Sequence, residues 1–216
     1  MTVFGNSAWY LIPTPVLYAV LRWGVLPRTS DPARREKIIW LARICLFLFV
    51  AVAFSGLLTD LLKIFFGRAR PRLLFHHALY SFSFFKFSAR MWSFPSGHAN
   101  TIFALATACY LVAPRGRYLY FPIAVIVAVS RVVVGDHYPS DIIMGAYLGV
   151  LTTVYLKFFF LRRGFDIFPA EIRGFSRKSP GSPRASAAPT KSFSSTTAAA
   201  TQAWKSSNPW PANIQR

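Results

Sequence analysis

Acidic side chains are scarce in this sequence. Its 216 residues include 7 Asp and Glu against 25 Lys and Arg, so the formal net charge is +18. A hydrolase that works with paired divalent metals needs a cluster of carboxylates and histidines to hold the ions. We therefore expect neither a metal nor another cofactor. Any electrostatic stabilisation of an anion should come from the cations of the protein itself.

Cysteines, and charged residues in general, are also few. The 2 cysteines, Cys45 and Cys109, lie in apolar runs, which excludes a framework of disulfides. Charged residues make up 15% of the chain and hydrophobic residues 54%, a balance that excludes an ordinary soluble domain. A strong positive charge is often a sign of nucleic-acid binding. In a membrane protein we expect it to attract anionic lipids instead, and we predict no nucleic-acid partner.

Long apolar runs are what the sequence does contain. A membrane-crossing helix needs about 20 mostly apolar residues. Five runs are candidates, and the second of them is interrupted by Arg43 and Asp60: residues 8–27, 38–62, 99–113, 119–134 and 142–161. The predicted fold is all-α, a polytopic transmembrane helix bundle with about five spans.

Basic residues predict the orientation of these spans. The short connections 28–37 and 114–117 are rich in Arg, and Arg162 and Arg163 follow the last run. With five spans all three fall on one face, which the positive-inside rule makes cytoplasmic. The segment 63–92 falls on the opposite, periplasmic or outer face, yet it also carries six cations: Lys63, Arg68, Arg70, Arg72, Lys86 and Arg90. We interpret these cations as an anion-binding site.

The C-terminal part of the chain has a different composition. We predict a transmembrane domain over residues 1–165, followed by a tail over 166–216 that is basic and rich in Ser, Ala and Pro. Such a segment has too few apolar residues to form a packed core, so it should be largely disordered. The span count places it in the cytoplasm. The sequence carries no signal for an oligomeric state.

Two histidines on the predicted outer face are candidates for chemistry. His137 and Asp141 are four residues apart beside Pro139, where a helix can begin, so Asp141 can hold one ring nitrogen while the other acts as a nucleophile. His98 follows Ser96 and Gly97 at a helix start, where backbone N–H groups bind anions, and it can act as a general acid. Alone, each pattern is more typical of a structural histidine at a helix end than of a catalytic one.

Three cations complete the candidate site. Lys63, Arg70 and Arg131 lie at or near the ends of apolar runs, where a charge is costly and often functional. Extension of long basic side chains to the membrane surface is the structural alternative.

Together these residues resemble the type 2 phosphatidic acid phosphatase superfamily. Its three signatures, Lys-x6-Arg-Pro, Pro-Ser-Gly-His and Ser-Arg-x5-His-x3-Asp, are complete at residues 63–71, 95–98 and 130–141. The resemblance implies that His137 forms a phosphohistidine, that Asp141 orients it, and that His98 protonates the leaving oxygen. It also implies that the remaining residues bind the phosphate oxygens: Lys63, Arg70, Ser96, Gly97 and Arg131.

The resemblance implies a membrane lipid phosphatase of the bacterial inner membrane, with lipid A as the favoured substrate. Undecaprenyl pyrophosphate and phosphatidylglycerol phosphate are the alternatives. Vanadium haloperoxidases share these residues but are soluble. A membrane scaffold or channel without catalysis is the alternative from another class. Members of the family commonly have six spans, so we hypothesise that one span lies upstream of residue 1, or that five suffice.

Overall fold

The chain is described here from a computed structural model, which covers residues 5–77, 81–85, 87–165, 167–169 and 172. Most of the predicted tail lies outside these residues, so its disorder stays a prediction. The packed unit nevertheless extends past the predicted boundary at 165, because Ile167 and Phe168 are each only 2% exposed. Phe168 packs edge-to-face on Phe47, with the ring centres 5.1 Å apart.

The first predicted span is helical but divided. It consists of α1 (Ala8–Leu11), α2 (Pro13–Ala19), a π-helical turn (Val20–Val25) and a 3-10 turn (Leu26–Arg28). Pro13 lacks an N–H and begins α2, which interrupts the hydrogen-bond ladder at that point.

The second predicted span is the long helix α3 (Pro32–Phe66). It begins where the Asp31 side chain accepts a hydrogen bond from the N–H of Ala33 at 3.0 Å, with Pro32 in the first helical position. It ends at Gly67, whose φ of 51° is the left-handed conformation that closes many helices. Both ends lie beyond the apolar run, because caps rather than hydrophobicity determine where the helix stops.

The remaining predicted spans, 99–113, 119–134 and 142–161, correspond to α5 (Gly97–Val112), α6 (Arg117–Val133) and α7 (Pro139–Arg162). His98 precedes the first of these runs, and a short α4 (Pro71–His77) lies between α3 and α5. Within the described residues three helical stretches are long and apolar enough to cross a membrane: 32–66, 114–133 and 139–162. The 16 residues of α5 fall below that length. Apart from an isolated bridge between Arg68 and Phe82, the described chain has no β pairing. The prediction of an all-α, polytopic membrane protein is confirmed.

Helix α5 lies at the centre, and α7 packs against it unusually closely. A Cβ atom added at Gly145 would lie 2.4 Å from the carbonyl oxygen of Ser96, and one at Gly149 would lie 2.5 Å from that of Asn100. Small residues spaced by four allow two membrane helices to approach backbone to backbone. Close to Gly145, the Ser96 N–H donates to the carbonyl oxygen of Asp141 at 3.0 Å. The starts of α5 and α7 are therefore fixed side by side.

Candidate active site

The end of α3 and the start of α5 enclose a cavity of about 170 Å³. Lys63, in the last turn of α3, faces Gly97, where an added Cβ would lie 2.9 Å from the lysine Nζ. Gly97 thus leaves room for an ammonium group directly beside the helix start. The Lys63 ammonium also donates to Asp60 at 2.7 Å. The lining includes polar groups of the N-terminal segment and of α5: Asn6, Ser7, His98 and Thr101.

The start of α5 has the geometry of an anion site. Ser96 caps the helix, because its hydroxyl oxygen accepts from the N–H of Ala99 at 3.4 Å. The first-turn N–H groups of Gly97 and His98 have no carbonyl acceptor within the helix. They are available to a bound oxyanion, and the helix dipole favours negative charge there. The Ser96 N–H itself is taken by Asp141, so Ser96 can offer its hydroxyl but not its amide.

The protonation of His98 is governed by its surroundings. Burial lowers the pKa of His98 to about 4, and the positive charges of Arg131, His137 and Lys63 act in the same direction. This places residues from all three sequence signatures within electrostatic reach of one imidazole. At this pKa His98 is neutral at pH 7, and a negative charge beside it would raise the pKa and favour the protonated acid.

His137 is buried, with 4% of its surface exposed. Its Nδ1 lies 2.7 Å from the carbonyl oxygen of Ser93. A carbonyl can only accept, so Nδ1 carries the hydrogen, and in the neutral ring Nε2 then keeps its lone pair. The sequence predicted that Asp141 would accept this hydrogen bond. That prediction was wrong in this detail, because Oδ2 of Asp141 is 3.8 Å from Nδ1 and Ser93 takes its place.

Asp141 is fully buried and has three donors of its own. It accepts from Nη1 of Arg68 at 2.5 Å, from the hydroxyl of Ser93 at 2.6 Å and from the N–H of Tyr138 at 2.9 Å. The Arg68 guanidinium also donates to the Ser140 hydroxyl at 2.8 Å and lies over the Tyr138 ring. Asp141 thereby positions the loop that carries His137 while its negative charge remains close to the imidazole.

The carboxylate of Asp136 lies within ion-pair distance of three arginines of the site. It bonds to Arg131, lies 2.9 Å from Nη2 of Arg72 and 3.7 Å from Nη1 of Arg70. Burial lowers the pKa of Arg70; Asp136 offsets part of this decrease, and the positive charges of Arg131 and Arg72 add to it. Such concentrated positive charge favours an anion, and the carboxylate of Asp136 supplies part of the balancing negative charge.

The structure places the predicted site residues in two neighbouring groups. Lys63, Gly97 and His98 line one cavity, and Ser96 caps the helix that begins beside it. Arg70 and Arg131 lie at Asp136, which directly precedes His137, and the carbonyl oxygen of Asp141 accepts from the Ser96 N–H, which connects the two groups. Sequence reasoning missed the roles of Ser93, Arg68 and Arg72. Arg68 and Arg72 were visible as part of the cation-rich segment, whereas Ser93 gave no signal.

In the described residues no group of three or more His, Cys, Asp or Glu could hold a metal ion.

Comparison with known proteins identifies the family. A model described as the PAP2 superfamily matches residues 44–164, more than half of the chain. The chain belongs to the PAP2 superfamily. All three signatures lie inside or at the border of the matched PAP2 region, and α3, α5, α6 and α7 supply its helices.

Two curated PAP2 relatives share more than a third of their aligned residues with the chain. A lipid A 1-phosphatase of Rhizobium johnstonii is 36% identical over 166 residues, covering 76% of this chain and 67% of the relative. A lipid A 1-phosphatase of Rhizobium etli is 38% identical over 151 residues, covering 69% and 64%. The chain therefore spans about two thirds of the length of these relatives.

A solved PAP2 structure has the same fold. It is a transmembrane phosphatidylglycerolphosphate phosphatase from Bacillus subtilis, with a TM-score of 0.50 and 24% sequence identity. The match covers 74% of this chain and 73% of that one. An undecaprenyl-diphosphatase of Sulfolobus acidocaldarius is 42% identical over a shorter stretch of 59 residues, or 27% of this chain.

Proposed function

We propose that this chain is a bacterial membrane phosphatase that removes a phosphate from lipid A through a phosphohistidine at His137. The observation that carries the substrate class is the likeness to two lipid A 1-phosphatases over more than two thirds of the chain. The observation that supports the mechanism is the buried imidazole whose Nδ1 is held by the Ser93 carbonyl, leaving Nε2 to attack.

The proposed first step transfers the phosphoryl group to the protein. Nε2 of His137 forms a bond to phosphorus while the bond from phosphorus to the lipid oxygen breaks. His98, protonated once the phosphate is bound, gives its proton to that oxygen. Lys63, Arg70 and Arg131, with the first-turn N–H groups of α5, stabilise the charge on the equatorial oxygens.

The second step releases phosphate. The neutral His98 left by the first step takes a proton from water, whose oxygen attacks the phosphorus of phosphohistidine. The bond from phosphorus to Nε2 breaks, and His137 returns to its starting state. Because Asp136 pairs with Arg131 and lies near Arg70, we propose that the phosphate replaces part of that carboxylate's contacts on binding.

Undecaprenyl pyrophosphate and phosphatidylglycerol phosphate are the second candidates. The partial match to an undecaprenyl-diphosphatase supports the first of these. We place the protein in the inner membrane with the site facing the periplasm and residues 166–216 in the cytoplasm. The chain has the basic short loops that favour this orientation.

Phosphate release by the purified full chain from each of these lipids tests the proposal. We expect turnover of lipid A above the other two, detected as loss of one phosphoryl group in the lipid's mass spectrum. His137→Gln should abolish release, while Arg34→Gln, at an exposed position far from the site, should not alter it. If the wild type released no phosphate from any of these lipids, a scaffold or channel would be the better account, and release by the His137 variant at the wild-type rate would refute the phosphohistidine. Faster release from another lipid would change the proposed substrate and leave the proposed mechanism in place.

A further inference from the structure

A second group of cations lies far from the candidate active site. Arg22, Arg35 and Arg43 line one cavity of about 440 Å³ near the beginning of α3. At about 1.5 Å per helical residue, Lys63 lies roughly 30 Å further along α3 than Arg43. That is about the thickness of the hydrocarbon core of a bilayer. The proposed mechanism therefore leaves these three arginines without a role.

The three arginines lack acidic partners. In the described part of the chain none of them forms an ion pair with a carboxylate. Arg35 donates to the carbonyl oxygens of Leu26 at 3.3 Å and Thr29 at 3.2 Å, which holds it between the N-terminal segment and α3. Glu36 lines an adjoining cavity with Arg35 and Arg43 but pairs with neither. Three positive charges around one cavity, with no carboxylate of the described residues paired to them, favour an anion.

Arg43 is the least expected of the three. It interrupts the apolar run 38–62 and lies about 7 Å inside that run. Its guanidinium lies over the ring of Phe165, 5.6 Å from the ring centre. Extension to the membrane surface accounts for one such arginine. It does not account for three arginines from two separate helical segments that meet at one cavity.

Apart from the three arginines, most of the cavity wall is formed by apolar side chains. Leu21, Leu26 and Ala42 are buried there, and Ile38, Ile39 and Leu46 are partly buried. A ligand complementary to this surface has an anionic head and a hydrocarbon body. Arg34 provides a contrast on the same helix end: its side chain is 80% exposed, and it pairs with Asp31 at 3.4 Å.

We propose that this cavity binds one anionic phospholipid from the leaflet at that end of α3. The phosphate lies among Arg22, Arg35 and Arg43, whose planar guanidinium groups suit paired hydrogen bonds to phosphate oxygens. An acyl chain lies against Leu21, Ile38 and Leu46. The bound lipid joins the N-terminal segment to α3 and stabilises the folded protein.

Thermal unfolding of the full chain in a non-ionic detergent tests this site. Phosphatidylglycerol and phosphatidylcholine with the same acyl chains are compared, and inorganic phosphate is a third arm. We expect phosphatidylglycerol to raise the unfolding midpoint by several degrees more than phosphatidylcholine does, and inorganic phosphate to leave it unchanged. Equal effects of the two lipids, or the same rise with inorganic phosphate, would overturn the proposal.

Variants locate the effect. Arg22→Gln and Arg43→Gln should each remove most of the difference between the two lipids, while Arg34→Gln keeps it. Arg22 makes no hydrogen bond or ion pair in the described chain, so Arg22→Gln should fold. It therefore tests the site even if Arg43→Gln fails to fold. Loss of the difference in Arg34→Gln as well would show a diffuse surface attraction and contradict a defined site. His137→Gln should respond to phosphatidylglycerol as the wild type does, which separates this site from the proposed phosphatase activity.

Discussion

Among single residues, His98 is the one whose pKa bears directly on its proposed role as the general acid. Its pKa is lowered to about 4, chiefly by burial, so it is neutral at pH 7. An anion on the neighbouring cations favours the charged imidazolium and must raise this pKa. We predict that vanadate, a mimic of the transferring phosphoryl, raises the pKa of His98 markedly. Titration by histidine NMR, with His98→Gln for assignment, measures it. An unchanged value with vanadate bound would count against the general-acid role.

Asp136 offers a second test at the same scale. One carboxylate bonds to Arg131 and lies within 4 Å of Arg70 and Arg72, so Asp136→Asn adds net positive charge where the phosphate is proposed to bind. We predict that the variant binds vanadate several-fold more tightly. Its turnover should fall, because the arginines lose the group that orients them. Asp31→Asn, which removes the partner of Arg34 at the other end of α3, is the matched control. Weaker vanadate binding in Asp136→Asn than in the control would contradict this account.

The sequence predicted which residues would meet, but not which atoms would bond. Lys63, His98 and His137 were found because their residue types recur at fixed short spacings. Arg68 and Asp141 are 73 positions apart, and Ser93 and His137 are 44 apart. Such contacts depend on how α7 and the loop before α5 are packed, and local pattern carries no information on that packing. The direct hydrogen bond expected between His137 and Asp141 was wrong for the same reason.

Among the elements, the contact between α5 and α7 positions the site. Gly149 lies so close to α5 that a Cβ there would be 2.5 Å from a carbonyl oxygen, whereas a Cβ at Gly56 of α3 would meet nothing within 4 Å. We predict that Gly149→Ala destabilises the protein by about 1–3 kcal/mol through overpacking. Gly56→Ala should be neutral or stabilising by up to about 1 kcal/mol, because alanine favours a helix. Thermal unfolding compares them, and equal midpoints for the two variants would refute the close approach.

The helix ends show what local sequence can predict. Helix α3 is bounded by residue types that commonly cap helices: Asp31 and Pro32 at its start and Gly67 at its end. The five apolar runs each correspond to helical structure, yet the first is divided at Pro13 and through the turns that follow. Helix α4 was not predicted, because Pro71–His77 lies in a basic segment that was interpreted through its charge alone.

At the scale of the whole molecule, orientation was predicted from charge and span parity. Single cysteines at Ser88 and Ser30, both exposed, in a background without Cys45 and Cys109 test it. With a membrane-impermeant thiol reagent on intact cells, whose outer membrane is made permeable to the reagent, we expect Ser88→Cys to react and Ser30→Cys to stay unlabelled. Labelling of both after membrane disruption is the control. The reverse pattern would place the candidate site in the cytoplasm.

The central claim is that His137 carries the phosphoryl group during hydrolysis of a lipid phosphate. The most direct measurement is to stop the reaction of purified protein with lipid A during turnover, under alkaline denaturing conditions that preserve phosphohistidine, and to locate the phosphoryl group by peptide mass spectrometry. Our account predicts phosphorylation of His137 in the wild type. It also predicts accumulation of the phosphohistidine in His98→Ala supplied with an aryl phosphate, whose leaving group needs little protonation in the first step. A wild-type enzyme that turns over lipid A with no phosphoryl group on His137, or with the group on another residue, would contradict it.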